Sequence, residues 1–148
     1  MKKLLPPSLF VLFALFMGLV CWGFKLNHNI LYPFNLIGLP LLIAGLFIAQ
    51  TSKKMFIRLK TNVNTFDEPD KLVVEGLFKY SRNPMYLGFV IAIIGIAVLY
   101  QGAISSFIFA MAFFLIVDRW YIKYEERAML VKFGKDYEIY CSNTRRWI

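Results

Sequence analysis

Three stretches of this chain are free of charge over lengths that no water-soluble fold requires: residues 4–24, 26–52 and 85–117. Apolar runs of this length suit lipid. In hydrocarbon every backbone N–H and C=O must find its partner within the protein, and a run without polar alternation does so as a helix. Composition agrees, since 59% of the 148 residues are hydrophobic and only 18% are charged, with a mean hydropathy of +0.58. The chain reads as one all-α integral membrane domain over residues 1–148, with spans at about 4–24, 31–50, 84–100 and 103–121.

The net charge of +8 would suit nucleic acid if position were ignored. The basic residues are confined to the gaps and ends, which makes them topology signals and excludes nucleic acid as a partner. Of the 17 Lys and Arg residues, all but Lys25 fall at the N-terminus, between Lys53 and Arg82, or after Val117. That asymmetry predicts an even number of spans with both termini cytoplasmic, as in a bacterial-type inner membrane. Lys2 and Lys3 before the first run also resemble the start of a signal peptide. The run exceeds the usual ~7–15 apolar residues of such a peptide and no small-x-small site follows it, so a retained span is expected. Cys21, Cys141 and His28 are too few soft ligands for a zinc or iron–sulfur site, so no metal is expected.

Pro40 lies inside the second run and predicts a kink there. Met55, Phe56, Ile57 and Leu59 among Lys53, Lys54, Arg58 and Lys60 form a basic interfacial stretch, either continuing the second helix or lying on the headgroups. Residues 61–70 read as a loop. Gln101 and Gly102 join the last two spans as a tight helical hairpin. Beyond it the spacing predicts a cytoplasmic tail: a helix to about Lys132, a break at Gly134 and a second short helix to about Tyr140.

The stretch richest in chemical meaning is 76–88, at the expected cytoplasmic mouth of the third span. Asn83 before Pro84 is a helix-start signal, because Asn caps free N–H groups and Pro suits the first helical position. Arg82 beside that terminus and Tyr86 one turn inside suit a bound anion such as a carboxylate. The alternative is a capped helix with Arg82 anchored to lipid phosphates. Glu125 and Glu126 stand where the fourth helix leaves the membrane, as a solvated acidic turn or as part of a site. On a regular helix Asp118 shares a face with Ile122, Glu125 and Met129, and Arg119 with Lys123 and Glu126. The hairpin would bring Arg82 and Glu126 to one pocket.

The string Gly76-x-Phe78-x-x-Ser81-Arg82-Asn83-Pro84-x-Tyr86-x-Gly88, followed by Glu125-Glu126, by Phe133-Gly134-x-x-Tyr137-x-x-Tyr140 and by Arg146-Trp147, resembles the membrane-embedded methyltransferases. That group holds the isoprenylcysteine carboxyl methyltransferases and the phospholipid methyltransferases. The resemblance covers about 64–148 and leaves the first two spans unmatched. It implies methyl transfer from S-adenosylmethionine to a lipid-borne or membrane-soluble acceptor. It also implies a cofactor site carried by Arg82, Pro84, Tyr86, Glu125 and Glu126, with Gly76, Asn83 and Gly88 in the same motif. Glu125 and Arg146 take the catalytic positions. At Asn83 the carboxyl methyltransferases typically carry His, and Asn is closer to bacterial relatives and the phospholipid branch. No Gly-x-Gly-x-x-Gly follows a strand, which excludes a soluble nucleotide-binding methyltransferase. Two other readings remain, a membrane reductase of the sterol-reductase type using NADPH and a non-enzymatic scaffold binding anionic membrane lipids.

Overall fold

The computed structural model describes residues 4–24, 29–61 and 70–148. Most of the expected 61–70 loop, together with Lys2, Lys3, Lys25 and His28, lies outside the described residues. Among the described residues there is no strand. The helices are α1 (Pro6–Gly23), α2 (Gly38–Arg58, entered through a 3-10 turn at Phe34–Ile37), α3 (Pro84–Leu99), α4 (Ile104–Ile116), α5 (Lys123–Phe133) and α6 (Lys135–Asn143). A π-helical turn, Val117–Ile122, joins α4 to α5, and a 3-10 turn at Gly76–Lys79 precedes α3. Among the described residues three helical stretches are long and apolar enough to cross a membrane: Pro6–Gly23, Phe34–Arg58 and Ile104–Phe133. Helix α3 is apolar but has 16 residues, a length of about 24 Å.

Helix α2 continues well past the expected end at Gln50. Lys53, Lys54, Met55 and Arg58 are good helix formers, so the basic stretch prolongs the helix. It stops where Lys60 turns to φ 51, with Lys60 N–H donating to Ile57 O and Thr61 N–H to Phe56 O, both at 3.1 Å. That pair of bonds satisfies carbonyls the helix would otherwise leave open. The kink expected at Pro40 is not needed. Pro40 falls in the first turn of α2, just after the 3-10 turn, a position that tolerates its missing N–H.

Glycine sets the closest helix contact, and it joins α3 to α2. Gly38 lies against Gly95 and Leu99, and Gly45 against Gly88 and Ala92, mostly backbone on backbone. A side chain at any of these four positions would strike the facing helix. Small residues at seven-residue spacing thus let two antiparallel helices approach without side chains between them. One heptad further on, Ser52 is buried and donates its hydroxyl to Ile48 O at 2.8 Å. On the other side of α3, Phe10 of α1 stacks on Phe89 with ring centroids 5.4 Å apart and meets Phe113 of α4 edge-on at 6.2 Å. Met17, Ile93 and Phe113 are fully buried there.

At the end of α3 remote from its Arg82 terminus, Asn35 Nδ2 donates to Leu99 O at 3.2 Å and Asn29 Nδ2 to Gly102 O at 3.0 Å. These bonds close the carbonyl end of the helix. The other end, where α2 finishes, α3 begins and α5 emerges, gathers the polar side chains.

Candidate functional site

Pro84 opens α3 at its first position, as its fixed φ suits. Asn83 precedes it but makes no side-chain cap. Its Nδ2 donates instead to Arg146 O at 3.2 Å, while Ser81 Oγ accepts the Asn83 N–H at 3.1 Å. The reason is the chain's own tail. Residues 141–147 run beside 81–83 and offer carbonyls that compete for the side chain: Arg82 N–H donates to Arg145 O at 2.9 Å, and Ser81 Oγ to Arg146 O at 3.4 Å.

Arg82 has turned inward, which replaces the reading of a lipid-phosphate anchor. Its Nη1 donates to Cys141 O at 3.2 Å and to Thr144 O at 2.8 Å, closing the carbonyl end of α6. Its Nη2 meets Glu126 Oε1 at 2.9 Å. Glu126 receives a second guanidinium, since Arg146 Nε donates to Oε1 at 3.1 Å and Arg146 Nη2 to Oε2. Arg146 Nη1 reaches Asp118 Oδ1 at 3.2 Å, and Trp147 Nε1 donates to the same oxygen at 3.0 Å. Arg82 and Arg146 therefore share one cluster with Glu126 and Asp118, and the exposed Arg119 joins it through Asp118 Oδ2 at 3.5 Å. The bonds to Glu126 and Asp118 push the Arg146 pKa up from an already high value.

The π turn decides which carboxylates join the cluster. On a regular helix Asp118 lines up with Glu125, as the sequence suggested. A π turn advances by roughly 80° per residue instead of about 100°. Over Val117–Ile122 the lag carries Asp118 into register with Glu126, and both reach Arg146. Glu125 is left on the neighbouring face, where Tyr86 O–H donates to its Oε1 at 2.7 Å. Nothing in the sequence marks the π turn, so Asp118 was not among the expected site residues.

The tail is fastened by aromatic residues. Tyr137 and Tyr140 are buried, and Tyr140 O–H donates to Phe78 O at 2.7 Å. Burial pushes the Tyr140 phenol up to about 12 against the opposing pull of Arg82. Tyr137 is raised as well, first by burial and then by Cys141 and Glu126.

These elements enclose a cavity of about 440 Å³. Arg82, Asn83, Pro84, Tyr86, Glu125 and Glu126, all expected at the site, stand on its wall. Gly76, Gly88 and Arg146 do not. Gly76 has φ +62 and faces Met55, a place where a side chain would be strained and crowded. Gly88 belongs to the α2 contact, and Arg146 stands behind Glu126. Helix α2 contributes Ala49, Gln50, Lys53 and Phe56 to the wall, which the sequence had left outside the site.

Fold and cavity place the chain among helical membrane proteins with a ligand-sized chamber, largely apolar with a few charged side chains, at one end of the bundle. Residues 34–136 match the phospholipid methyltransferase family, and the chain belongs to that family. The match begins at 34 and so takes in the second span, which the sequence resemblance had left unmatched. Protein-S-isoprenylcysteine O-methyltransferase B of Arabidopsis thaliana is 33% identical over 108 residues, covering 70% of this chain and 53% of that protein. Probable protein-S-isoprenylcysteine O-methyltransferases from Oryza sativa subsp. indica and subsp. japonica are each 30% identical over 109 residues, 70% of this chain and 55% of theirs. The chain thus spans about half the length of these curated relatives. No solved structure matches it significantly.

Proposed function

We propose that the chain transfers a methyl group from S-adenosylmethionine to a lipid-borne or membrane-soluble acceptor at the cytoplasmic membrane face. The observation that carries this reading is the cavity between α3 and α5, where Arg82 is paired with Glu126 and Tyr86 with Glu125. Its volume, about 440 Å³, falls among the chambers that hold cofactor-sized ligands. Arg82 Nε is a buried donor with no partner among the described residues, the kind of group a bound ligand satisfies.

The cofactor supplies a methyl group on a sulfonium, and its transfer needs alignment and exclusion of water but no protein nucleophile. Glu126, fixed between two guanidiniums, is pre-set to hold a donor group of the cofactor. Glu125, oriented by Tyr86, is placed to take a proton from a thiol or amine acceptor, whereas a carboxylate acceptor needs no base. Arg146 acts through Glu126 as a positioning residue. Phe56, Met85 and Phe89 give the chamber its apolar surface and keep water out. Gly76 and Gly88 contribute through chain shape and helix approach.

The same reading has four membrane crossings with both ends cytoplasmic. It rests on the one-sided distribution of Lys and Arg and on the glycine contact that holds the 16-residue α3 against the 21-residue α2. Incubating the purified protein with radiolabelled S-adenosylmethionine and a fractionated lipid extract tests the function. Label is expected in one lipid fraction, and unlabelled lipid in every fraction would contradict the proposal.

A further inference from the structure

The charges on the cavity wall are unequally matched. Arg82 already commits Nη1 to backbone carbonyls and Nη2 to Glu126, which leaves only its Nε to meet a ligand. Two other cations line the same cavity, Lys53 near the end of α2 and Lys71 from the segment that leads into the turn before α3. Lys71 Nζ donates to Leu59 O at 3.1 Å, which places its ammonium at the carbonyl end of α2, and among the described residues its other two N–H donors have no partner. Neither lysine is paired with a carboxylate among the described residues. Both residues are exposed, and an anion that bridges two like charges lowers their repulsion.

We infer that Lys53 and Lys71 form an anion subsite on the α2 side of the cavity, which holds the carboxylate or phosphate of a bound ligand. The inference rests on the reading of the cavity as the methyl-transfer chamber. Within it, two ligands carry the required group: the cofactor, through its amino-acid carboxylate, and an acceptor with a phosphate or carboxylate headgroup. If the lysines only reach for bilayer phosphates, as basic side chains at membrane interfaces do, their removal leaves ligand binding unchanged.

The test uses the full chain in neutral detergent, as wild type, Lys53→Gln, Lys71→Gln and the double variant. Arg58→Gln is the control, a cation on the same helix that does not line the cavity. Calorimetric titrations employ S-adenosylhomocysteine, its decarboxylated analogue, and dihexanoyl phosphatidic acid as a soluble phosphate-bearing lipid. If the subsite holds the cofactor, the double variant binds S-adenosylhomocysteine at least ten-fold more weakly while the decarboxylated analogue binds wild type and variant alike. If it holds the acceptor, S-adenosylhomocysteine binding is unchanged and the phosphatidic acid loses ten-fold or more. Arg58→Gln alters neither. Wild-type affinities for both probes in the double variant overturn the inference while leaving the cofactor reading intact. A wild-type protein that binds phosphatidic acid through these lysines but not S-adenosylhomocysteine overturns the cofactor reading instead, and one that binds neither overturns both.

Discussion

Arg82 and Glu126 lie 44 positions apart in sequence and meet through Nη2 and Oε1 at 2.9 Å. The contact ties the start of α3 to the first turn of α5 and stands on the wall of the one chamber that gathers most of the family motif. Because Arg146 shares the same carboxylate, the contact is one bond of a cluster.

The cluster predicts unequal costs. Arg82→Ala leaves Glu126 with Arg146, whereas Glu126→Ala leaves two guanidiniums facing each other without that carboxylate. Both side chains are mostly shielded, with 15% and 18% of their surface exposed. Losing one partner of such a contact costs about 1–3 kcal/mol. Glu126→Ala should therefore lower the unfolding temperature more than Arg82→Ala, and the double variant should lose less than the sum of the two. Thermal unfolding in detergent reads this directly. Equal and additive losses would contradict a shared cluster.

Asp118 should matter although it does not line the chamber. It accepts from Arg146 and Trp147, so Asp118→Ala frees the end of the tail, while Asp118→Asn keeps an oxygen in place. Limited proteolysis should cut the alanine variant near the C-terminus several-fold faster than wild type. The asparagine variant should fall between the two.

Tail docking should also fail at high pH. The folded state holds the Tyr140 proton more tightly than an ordinary phenol, with a pKa of about 12, so its contribution is complete below about pH 10. It is lost as pH rises through 12. Tyr140→Phe removes the bond to Phe78 O at every pH, at a cost of about 1–2 kcal/mol. Protease protection of the tail measured against pH should drop in wild type above pH 10, with the variant less protected below it.

Gly45 and Gly88 predict an effect at a distance. Leu at either position meets the backbone of the facing helix, and overpacking of this kind costs about 1–3 kcal/mol or more. Since α2 supplies Lys53 and α3 supplies Tyr86 to the chamber, ligand affinity should fall with stability. Stability measured by unfolding and affinity by titration should move together, unlike in a Leu substitution at Ala44, which is exposed on α2.

Much of the helix plan was legible because charge-free runs and punctuating residues act locally. Pro84 begins α3, and Gly134, at φ 49, separates α5 from α6 where the sequence breaks. For the basic stretch after Gln50 the sequence left two courses open, and α2 takes the first, running on to Arg58 because Lys, Met and Arg continue a helix readily. The helix partner of α3 was also hidden, since the short turn at Gln101 and Gly102 drew attention to α4 while the glycine spacing in α2 and α3 carried the closer contact. Arg82, Tyr86, Glu125 and Glu126 could be read as a group from their motif. The contacts around that group could not. Asp118 depends on a π turn, and the redirection of Asn83 depends on a tail that arrives from more than sixty positions away.

The central claim is that the chamber containing Arg82, Tyr86, Glu125 and Glu126 is a cofactor site. Its most direct test is calorimetric titration of the detergent-solubilised protein with S-adenosylhomocysteine, in wild type and in the Arg82→Ala and Glu126→Ala variants. One site of micromolar-range affinity is expected in wild type, about 8 kcal/mol of binding free energy. Each variant should bind at least ten-fold more weakly. No binding to wild type, or unchanged affinity in both variants, would contradict the account.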